Sequence, residues 1–289
     1  MSPGLWFQVP SVGVLLAIAA FPIAYSIWLS LRAYSLVLPD KTGQFIGSEN
    51  YARLLHDAQF HGAFVKTMLY TAVTVSIELV LGVLLGIALN RVKRGQRLVV
   101  ALILIPTVIS PLIIGLMFNF LLNAQFGLVP YLSDQLGLSL PANVLGNPTW
   151  AFPALAFTDI WEWTPFIALI TFAGLRALPT APQEAANVDG ASSWQMYRHV
   201  ILPLLRPILT VAIIFRTAEA VREFDKVYIL TGGGPGASTL LNDLFIYNVS
   251  FANFDLGYGA ALGVAMFAFM ACLAVVFFFA IERVDRRQA

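Results

Sequence analysis

The chain has 289 residues, of which 58% are hydrophobic and 11% charged, and its mean hydropathy is +0.78. Soluble domains carry about 45–50% apolar and about 25% charged residues, so a water-soluble globule is excluded. Seventeen Lys and Arg against sixteen Asp and Glu leave a formal charge of +1; no overall basic field exists to hold nucleic acid, and the information lies in where the charges sit.

The apolar residues gather into stretches of about 20, the length that crosses a hydrocarbon core of about 30 Å. Six spans are predicted, at 7–31, 68–89, 98–122, 150–175, 208–230 and 258–281. The expected fold is an all-α, polytopic membrane bundle of six helices, forming one domain over 1–289. The first span lacks a basic segment before it and exceeds the apolar core of a cleavable signal, so it reads as a retained anchor. Between the first two spans, 48–64 reads as a short amphipathic helix on the outer surface. Ser48 is its candidate N-cap, and Tyr51, Leu54, Leu55 and Ala58 share one side. The one cysteine, Cys272, excludes an intrachain disulfide and reads as an inert buried thiol. His56, His61 and His199 are scattered and give no metal-ligand spacing.

Orientation is read from cations in short loops. Arg91, Lys93, Arg94 and Arg97 follow span two, Arg176, Arg198 and Arg206 lie between spans four and five, and Arg283, Arg286 and Arg287 end the chain. These faces are expected to be cytoplasmic, with both termini inside a plasma or inner membrane. The 123–149 loop has no Lys or Arg and is placed outside, as is the loop after span five, with Lys226 at its edge. Arg32, Lys41, Arg53 and Lys66 in the first external loop run against the rule.

Spans four and five carry charges that lipid does not tolerate. Asp159 and Glu162 interrupt one; Arg216, Glu219, Arg222, Glu223, Asp225 and Lys226 interrupt the other. Each costs about 2.5–3.5 kcal/mol at a helix centre on an insertion scale, so these spans must face protein or a wet cavity. On a continuous helix, Arg216, Glu219 and Glu223 recur at i, i+3, i+7 along one stripe, with Arg222 and Lys226 adjacent. The stripe has two readings: internal pairs Arg216–Glu219 and Arg222–Glu223 that fix packing, or groups that hydrogen-bond a polar solute at mid-membrane. Span four adds Glu162, Trp163 and Phe166 beside Pro165; aromatic faces suit sugar C–H surfaces and carboxylates suit hydroxyls. Trp161 can point to lipid instead. Asn119 in span three is weighed equally as a ligand and as an interhelical hydrogen bond, and Glu78 in span two reads as a packing or gating contact. The substrate-binding set is therefore Glu162, Trp163, Phe166, Arg216, Glu219, Arg222 and Glu223, with Asn119.

The segment 178–207 is too polar to cross and reads as two short helices. Thr180 can cap the first, Pro182 and Glu184 suit its first turn, and Gly190 breaks it. Asp189 or Ser192 can cap the second, which runs through Trp194, Tyr197 and Val200 to Pro203. Glu184-Ala185-Ala186, Gly190 and Leu202-Pro203 in this setting resemble the EAA loop of ABC-importer permeases, with Val200 where the family usually has Ile. Two more stretches are similar to carbohydrate permeases of the maltose/trehalose/glycerol-phosphate class. One runs from Phe224 through Leu230-Thr231-Gly232-Gly233-Gly234-Pro235 to Thr239; the other holds Asn50-Tyr51, Leu54-Leu55, Asp57, Phe60, Ala63 and Thr67.

The resemblance implies a permease subunit whose 178–207 segment docks on an ATPase, with Glu184, Ala185, Ala186, Asp189 and Gly190 as coupling residues. It implies a second permease of similar fold, two ATP-binding subunits and an extracytoplasmic sugar-binding protein, all in a lipid bilayer. The Gly232–Gly234 run lacks the lysine of a phosphate loop and has Pro235 where an amide is needed, so it reads as an external turn using glycines for positive φ. No cofactor is expected in this chain; ATP and Mg belong to the partner subunits. The rival is an ion-coupled secondary carrier using Glu219/Glu223 or Asp159/Glu162 as proton relays.

Overall fold

The computed structural model describes residues 3–37 and 42–285. Lys41, Arg286 and Arg287, counted above toward orientation, lie outside the described residues. In chain order the elements are α1 (Pro3–Ser30), β1 (Arg32–Ala33), β2 (Gln44–Phe45), α2 (Glu49–His56), α3 (Ala58–Arg91), α4 (Gln96–Val108), α5 (Pro111–Leu121) and α6 (Leu128–Gln135). They continue with α7 (Ala151–Ala177), α8 (Ala181–Val188), α9 (Ser193–Gln195), α10 (Leu202–Val221), α11 (Asp225–Leu230), α12 (Asn242–Tyr247) and α13 (Leu256–Asp285). The chain divides into two compact units, Met1–Gly62 with Asn242–Ala274, and Ala63–Leu241 with Val275–Ala289.

The architecture is all-α and membrane-spanning. Among the described residues, four unbroken helical stretches are long and apolar enough to cross a bilayer: Val12–Ser30, Ala58–Arg91, Ser193–Val221 and Leu256–Phe279. Two bent pairs, α4 with α5 and α7 with α8, bring the number to six. The third span is thus not the straight helix expected over 98–122; α4 and α5 meet at 90°. Pro111 drives the preceding Ser110 out of the helical region to ψ 136°, and Ile109 is also extended.

The fifth span departs further from expectation. The second short helix does not stop at Pro203 but runs from Ser193 without interruption to Val221. Met196–Ile201 winds as a π-helix, and its wider i→i+5 register leads into Pro203, which has no N–H to give. The helix then ends at Val221, and α11 begins after a break at Arg222–Phe224. A continuous stripe over Arg216, Glu219 and Glu223 therefore does not exist.

In the first unit the expected helix over 48–64 is cut in two. Ser48 makes no side-chain cap bond; Asp57 interrupts instead, its Oδ1 accepting from the amides of Gln59 (2.9 Å) and Phe60 (3.1 Å) at the start of α3. Its Oδ2 accepts from the Tyr258 hydroxyl at 2.6 Å. Arg53 pairs with Asp255 at 2.7 Å and lies 3.9 Å over the Tyr258 ring. Burial alone would raise the Asp57 pKa, but the Tyr258 hydroxyl, the two amides and Arg53 outweigh it and hold the carboxyl below its ordinary value. Cys272, expected to be buried, is on the exposed side of α13.

In the second unit α3 and α7 approach at glycine. A Cβ on Gly82 would lie 2.5 Å from Ile167 Cβ, and one on Gly86 2.7 Å from the Ala168 carbonyl oxygen. The Gly82–Gly86 spacing is the small-xxx-small pattern that lets membrane helices touch closely, and it fixes the distance between the two helices that carry the site.

Candidate functional site

A cluster of ionisable side chains occupies the interior of the second unit. Glu78 comes from α3, Asp159 and Glu162 from α7, Arg216 from α10, Glu223 from the break after it, and Lys226 from the first turn of α11. Asp159 and Glu162 are one helical turn apart and share a face. Arg216 Nη2 donates to Glu78 Oε1 at 3.0 Å, its Nε lies 2.7 Å from Glu78 Oε2 as an ion pair, and it also pairs with Asp159. Lys226 Nζ lies 2.7 Å from Asp159 Oδ1, 2.6 Å from Glu162 Oε2 and 2.8 Å from Glu223 Oε2. None of the six is more than 8% exposed.

The break after α10 makes this possible. Leaving the helix at Arg222 lets Glu223 turn back, where its Oε1 accepts the Lys226 backbone N–H at 3.1 Å, while Lys226 points at α7. Asn119 of α5 donates to the carbonyl oxygens of Ile229 and Leu230, each at 3.2 Å, tying down the end of α11. Of the sequence-derived residues, Glu162, Arg216 and Glu223 are thus engaged with protein partners. The packing contact expected of Glu78 is an ion pair to Arg216, whereas Arg216–Glu219 and Arg222–Glu223 pairs do not form among the described residues. Lys226, read as a loop-edge cation, and Asp159 are the junctions of the cluster. The available signal was the pairing of Asp159 and Glu162 at i, i+3 in an otherwise apolar span, which demands two enclosed cations.

A second surface lies beside the cluster. Trp163 and Phe166, one turn apart on α7, meet edge to face at 5.7 Å, and Phe215 of α10 approaches them at 6.4 and 5.3 Å. The Arg216 guanidinium is 4.8 Å from the Trp163 ring and links this shelf to the ion cluster. Trp163 and Phe166 are half-buried and Phe215 is 46% exposed. Glu219 stands one turn beyond Phe215 on the same face of α10, and Arg222 is the residue at which that helix ends. Glu219 is half-buried, Arg222 is exposed, and neither side chain has a hydrogen bond or ion pair among the described residues. Trp161 lies edge to face with Phe118, 5.5 Å away.

The 178–207 segment bears out its two caps unevenly. Thr180 begins α8 without a side-chain cap bond, with Pro182 in the first turn. Gly190, at φ 76°, ends it, and the Ala191 N–H returns to the Ala186 carbonyl oxygen. Ser192, not Asp189, caps the next helix through a reciprocal box with Gln195, bonding at 2.8 and 3.4 Å. Glu184, Ala185, Asp189 and Gly190 are exposed and Ala186 half-buried; Val188 is 87% exposed. α8 turns 77° from α7 and packs on the π-helical stretch. The glycine turn after α11 is as expected: Gly232 and Gly233 have φ of 59° and 86°. Its two ends are joined by the Thr231 and Thr239 hydroxyls at 2.7 Å.

Residues 78–289 match the family described as binding-protein-dependent transport system inner membrane component. The chain belongs to that family. It is similar to the trehalose/maltose transport system permease protein MalF of Thermococcus litoralis, 36% identical over 95% of this chain and 92% of the relative. The trehalose transport system permease protein SugA of Mycobacterium tuberculosis is 35% identical over 93% of this chain and 85% of its own. Among solved structures, a bacterial alginate ABC transporter in complex with an alginate pentasaccharide-bound periplasmic protein contains a chain of the same fold. Its TM-score is 0.80 at 21% identity, over 98% of this chain and 94% of that one. Family membership sets aside the ion-coupled carrier. The chain is a multi-pass membrane subunit of an ABC transporter.

Proposed function

We propose that the chain is the non-catalytic permease subunit of an ATP-driven carbohydrate importer, and that the surface formed by Trp163, Phe166, Phe215, Glu219 and Arg222 contacts the sugar. The observation that carries this reading is the half-open aromatic shelf next to a carboxylate and a guanidinium that no protein group among the described residues satisfies. Aromatic faces bury sugar C–H surfaces, and unpaired charged groups bind hydroxyls through charge-assisted hydrogen bonds. The trehalose and maltose relatives support the substrate class. Glu162, Arg216, Glu223 and Asn119 then hold the frame on which this surface stands.

ATP and Mg are bound by two partner ATPases, one of which receives α8 through Glu184, Ala185, Ala186, Asp189 and Gly190. A second permease of similar fold completes the path in a single 1–289 membrane domain, an extracytoplasmic binding protein delivers the sugar, and both termini are cytoplasmic. Movement of α8 is passed through the rigid helix from Ser193 to Val221, at whose far end Glu219 sits.

The test is uptake of labelled trehalose or maltose by proteoliposomes holding the assembled transporter. Uptake should need ATP and binding protein, and Glu184→Ala should reduce uptake and stimulated ATP hydrolysis together. Uptake by this chain alone, or full activity of Glu184→Ala, overturns the reading.

A further inference from the structure

A groove of about 900 Å³ runs between the second half of α3 and the helix that continues from α9 into α10. Its walls are aliphatic, from Leu79, Val80 and Leu84 on one side to Leu209 and Ile213 on the other. Val80 and Leu84 are 58% and 59% exposed. The lining ends at Leu79 and Ile213, which stand one residue after Glu78 and three before Arg216 in the chain. The other end has different chemistry. Arg91 and Arg206 line it together with Trp194 and Tyr197, both arginines are exposed, and the Arg91 guanidinium stands 5.6 Å from the Tyr197 ring. The π-helical turn at Met196–Ile201 is what brings Tyr197 to face α3.

From Leu79 to Arg91 the helix rises about 18 Å at 1.5 Å per residue, against about 15 Å for one leaflet of a 30 Å hydrocarbon core. The groove is thus one leaflet deep, apolar over its length, and cationic with Trp and Tyr at its mouth. Trp and Tyr favour the membrane–water interface, and basic groups between spans attract anionic headgroups. We propose that this groove is a binding site for one anionic phospholipid, whose acyl chain lies along Val80 and Leu84 and whose phosphate is held between Arg91 and Arg206. Charge complementarity favours this occupant: the two exposed guanidinium groups at the mouth match a phosphate and the aliphatic walls match an acyl chain. The inference uses the membrane crossing and not the identity of the cargo.

The test is native mass spectrometry of the assembled transporter reconstituted in nanodiscs of phosphatidylcholine with phosphatidylglycerol. The wild-type complex should retain phosphatidylglycerol after the bulk lipid is stripped. Arg91→Gln/Arg206→Gln should lower that retention at least five-fold while leaving phosphatidylcholine retention unchanged. Leu84→Trp, which fills the groove and keeps the charges, should lower it as well. Equal phosphatidylglycerol retention in the double variant overturns the site. So does efficient cross-linking of a Leu84→Cys complex to the second permease subunit in native membranes, which would give the groove to a protein.

Discussion

Lys226 Nζ stands 2.7 Å from Asp159 Oδ1, joining α11 to α7 at a point where neither side chain reaches solvent. The same ammonium also bonds Glu162 and Glu223, and Asp159 is shared with Arg216. The two cations thereby bind three helices and a broken segment into one body. Removing one member of a buried pair costs about 3–5 kcal/mol, because the charge left behind has no water to turn to. Lys226→Met is expected to lose stability on that order, read as a lower thermal midpoint of the purified complex. Lys226→Met combined with Glu162→Leu should recover part of the loss, since Glu162 has its ion pair with Lys226 and the second change removes the carboxylate left orphaned; the coupling appears in a double-mutant cycle.

The close approach of α3 and α7 gives a second prediction. Gly86 faces the Ala168 carbonyl oxygen and Thr171 so tightly that a Cβ would sit 2.7 Å from each. Gly86→Leu must push the helices apart and pull Glu78 away from Arg216. The expected result is poor assembly and at least about 1–3 kcal/mol of overpacking cost, measured as yield and thermal stability in detergent. Gly95, with nothing near its Cβ position but φ 69°, gives a contrasting control: Gly95→Asn should be mild, because Asn tolerates that backbone region.

The sequence revealed the spans because apolar length is a strong signal, and it revealed the glycine turn because Gly232 and Gly233 occupy positions that only positive φ explains. It placed Glu162, Arg216 and Glu223 among enclosed charges for the right reason, the cost of a charge in lipid. What it missed follows from one assumption, that span five is a single α-helix over 208–230. The break at Arg222 shifts which residues face inward, so Lys226 moved from a loop edge to the centre, and Glu219 and Arg222 have no ion pair among the described residues. Backbone register set by proline and by tertiary ion pairs is not contained in local spacing. The bend in span three was not foreseen either: Pro111 places it, yet its angle depends on what α4 and α5 pack against.

The Asp57 cap carries a pH dependence outside the spans. Its carboxyl is held below the ordinary value in the folded chain, so the stability it adds is full above the unfolded pKa, about 3.9, and is lost as pH falls through the lower folded value. Between pH 7 and 5 the contribution should be constant, and below about pH 4 it should fade. Asp57→Asn should remove that acid-side slope and cost about 1 kcal/mol at neutral pH through the lost charge-assisted hydrogen bond from Tyr258, Asn being as good a cap as Asp. Thermal midpoints of both forms from pH 3 to 7 check this; parallel curves for the two would assign the acid sensitivity to other groups.

Glu219 and Arg222 provide the sharpest separation between frame and contact. Glu219 shares the face of α10 that carries Phe215, Arg222 stands where that helix ends, and neither is needed to neutralise a neighbour among the described residues. Glu219→Gln is therefore expected to leave the thermal midpoint within about 0.5 kcal/mol of wild type, as for substitutions outside buried networks. A hydrogen bond to a charged group is worth about 1.5–3 kcal/mol. Losing it against a sugar hydroxyl should raise the half-saturating sugar concentration for release-limited uptake, or lower the rate, by about 10- to 100-fold. Glu162→Gln should show the opposite balance, with stability lost first because Lys226 loses one of its three carboxylates. Measuring uptake and thermal midpoint together for the two variants distinguishes the roles: a Glu219→Gln transporter that is stable and fully active would remove this carboxylate from the sugar path and leave the aromatic shelf without its polar partner.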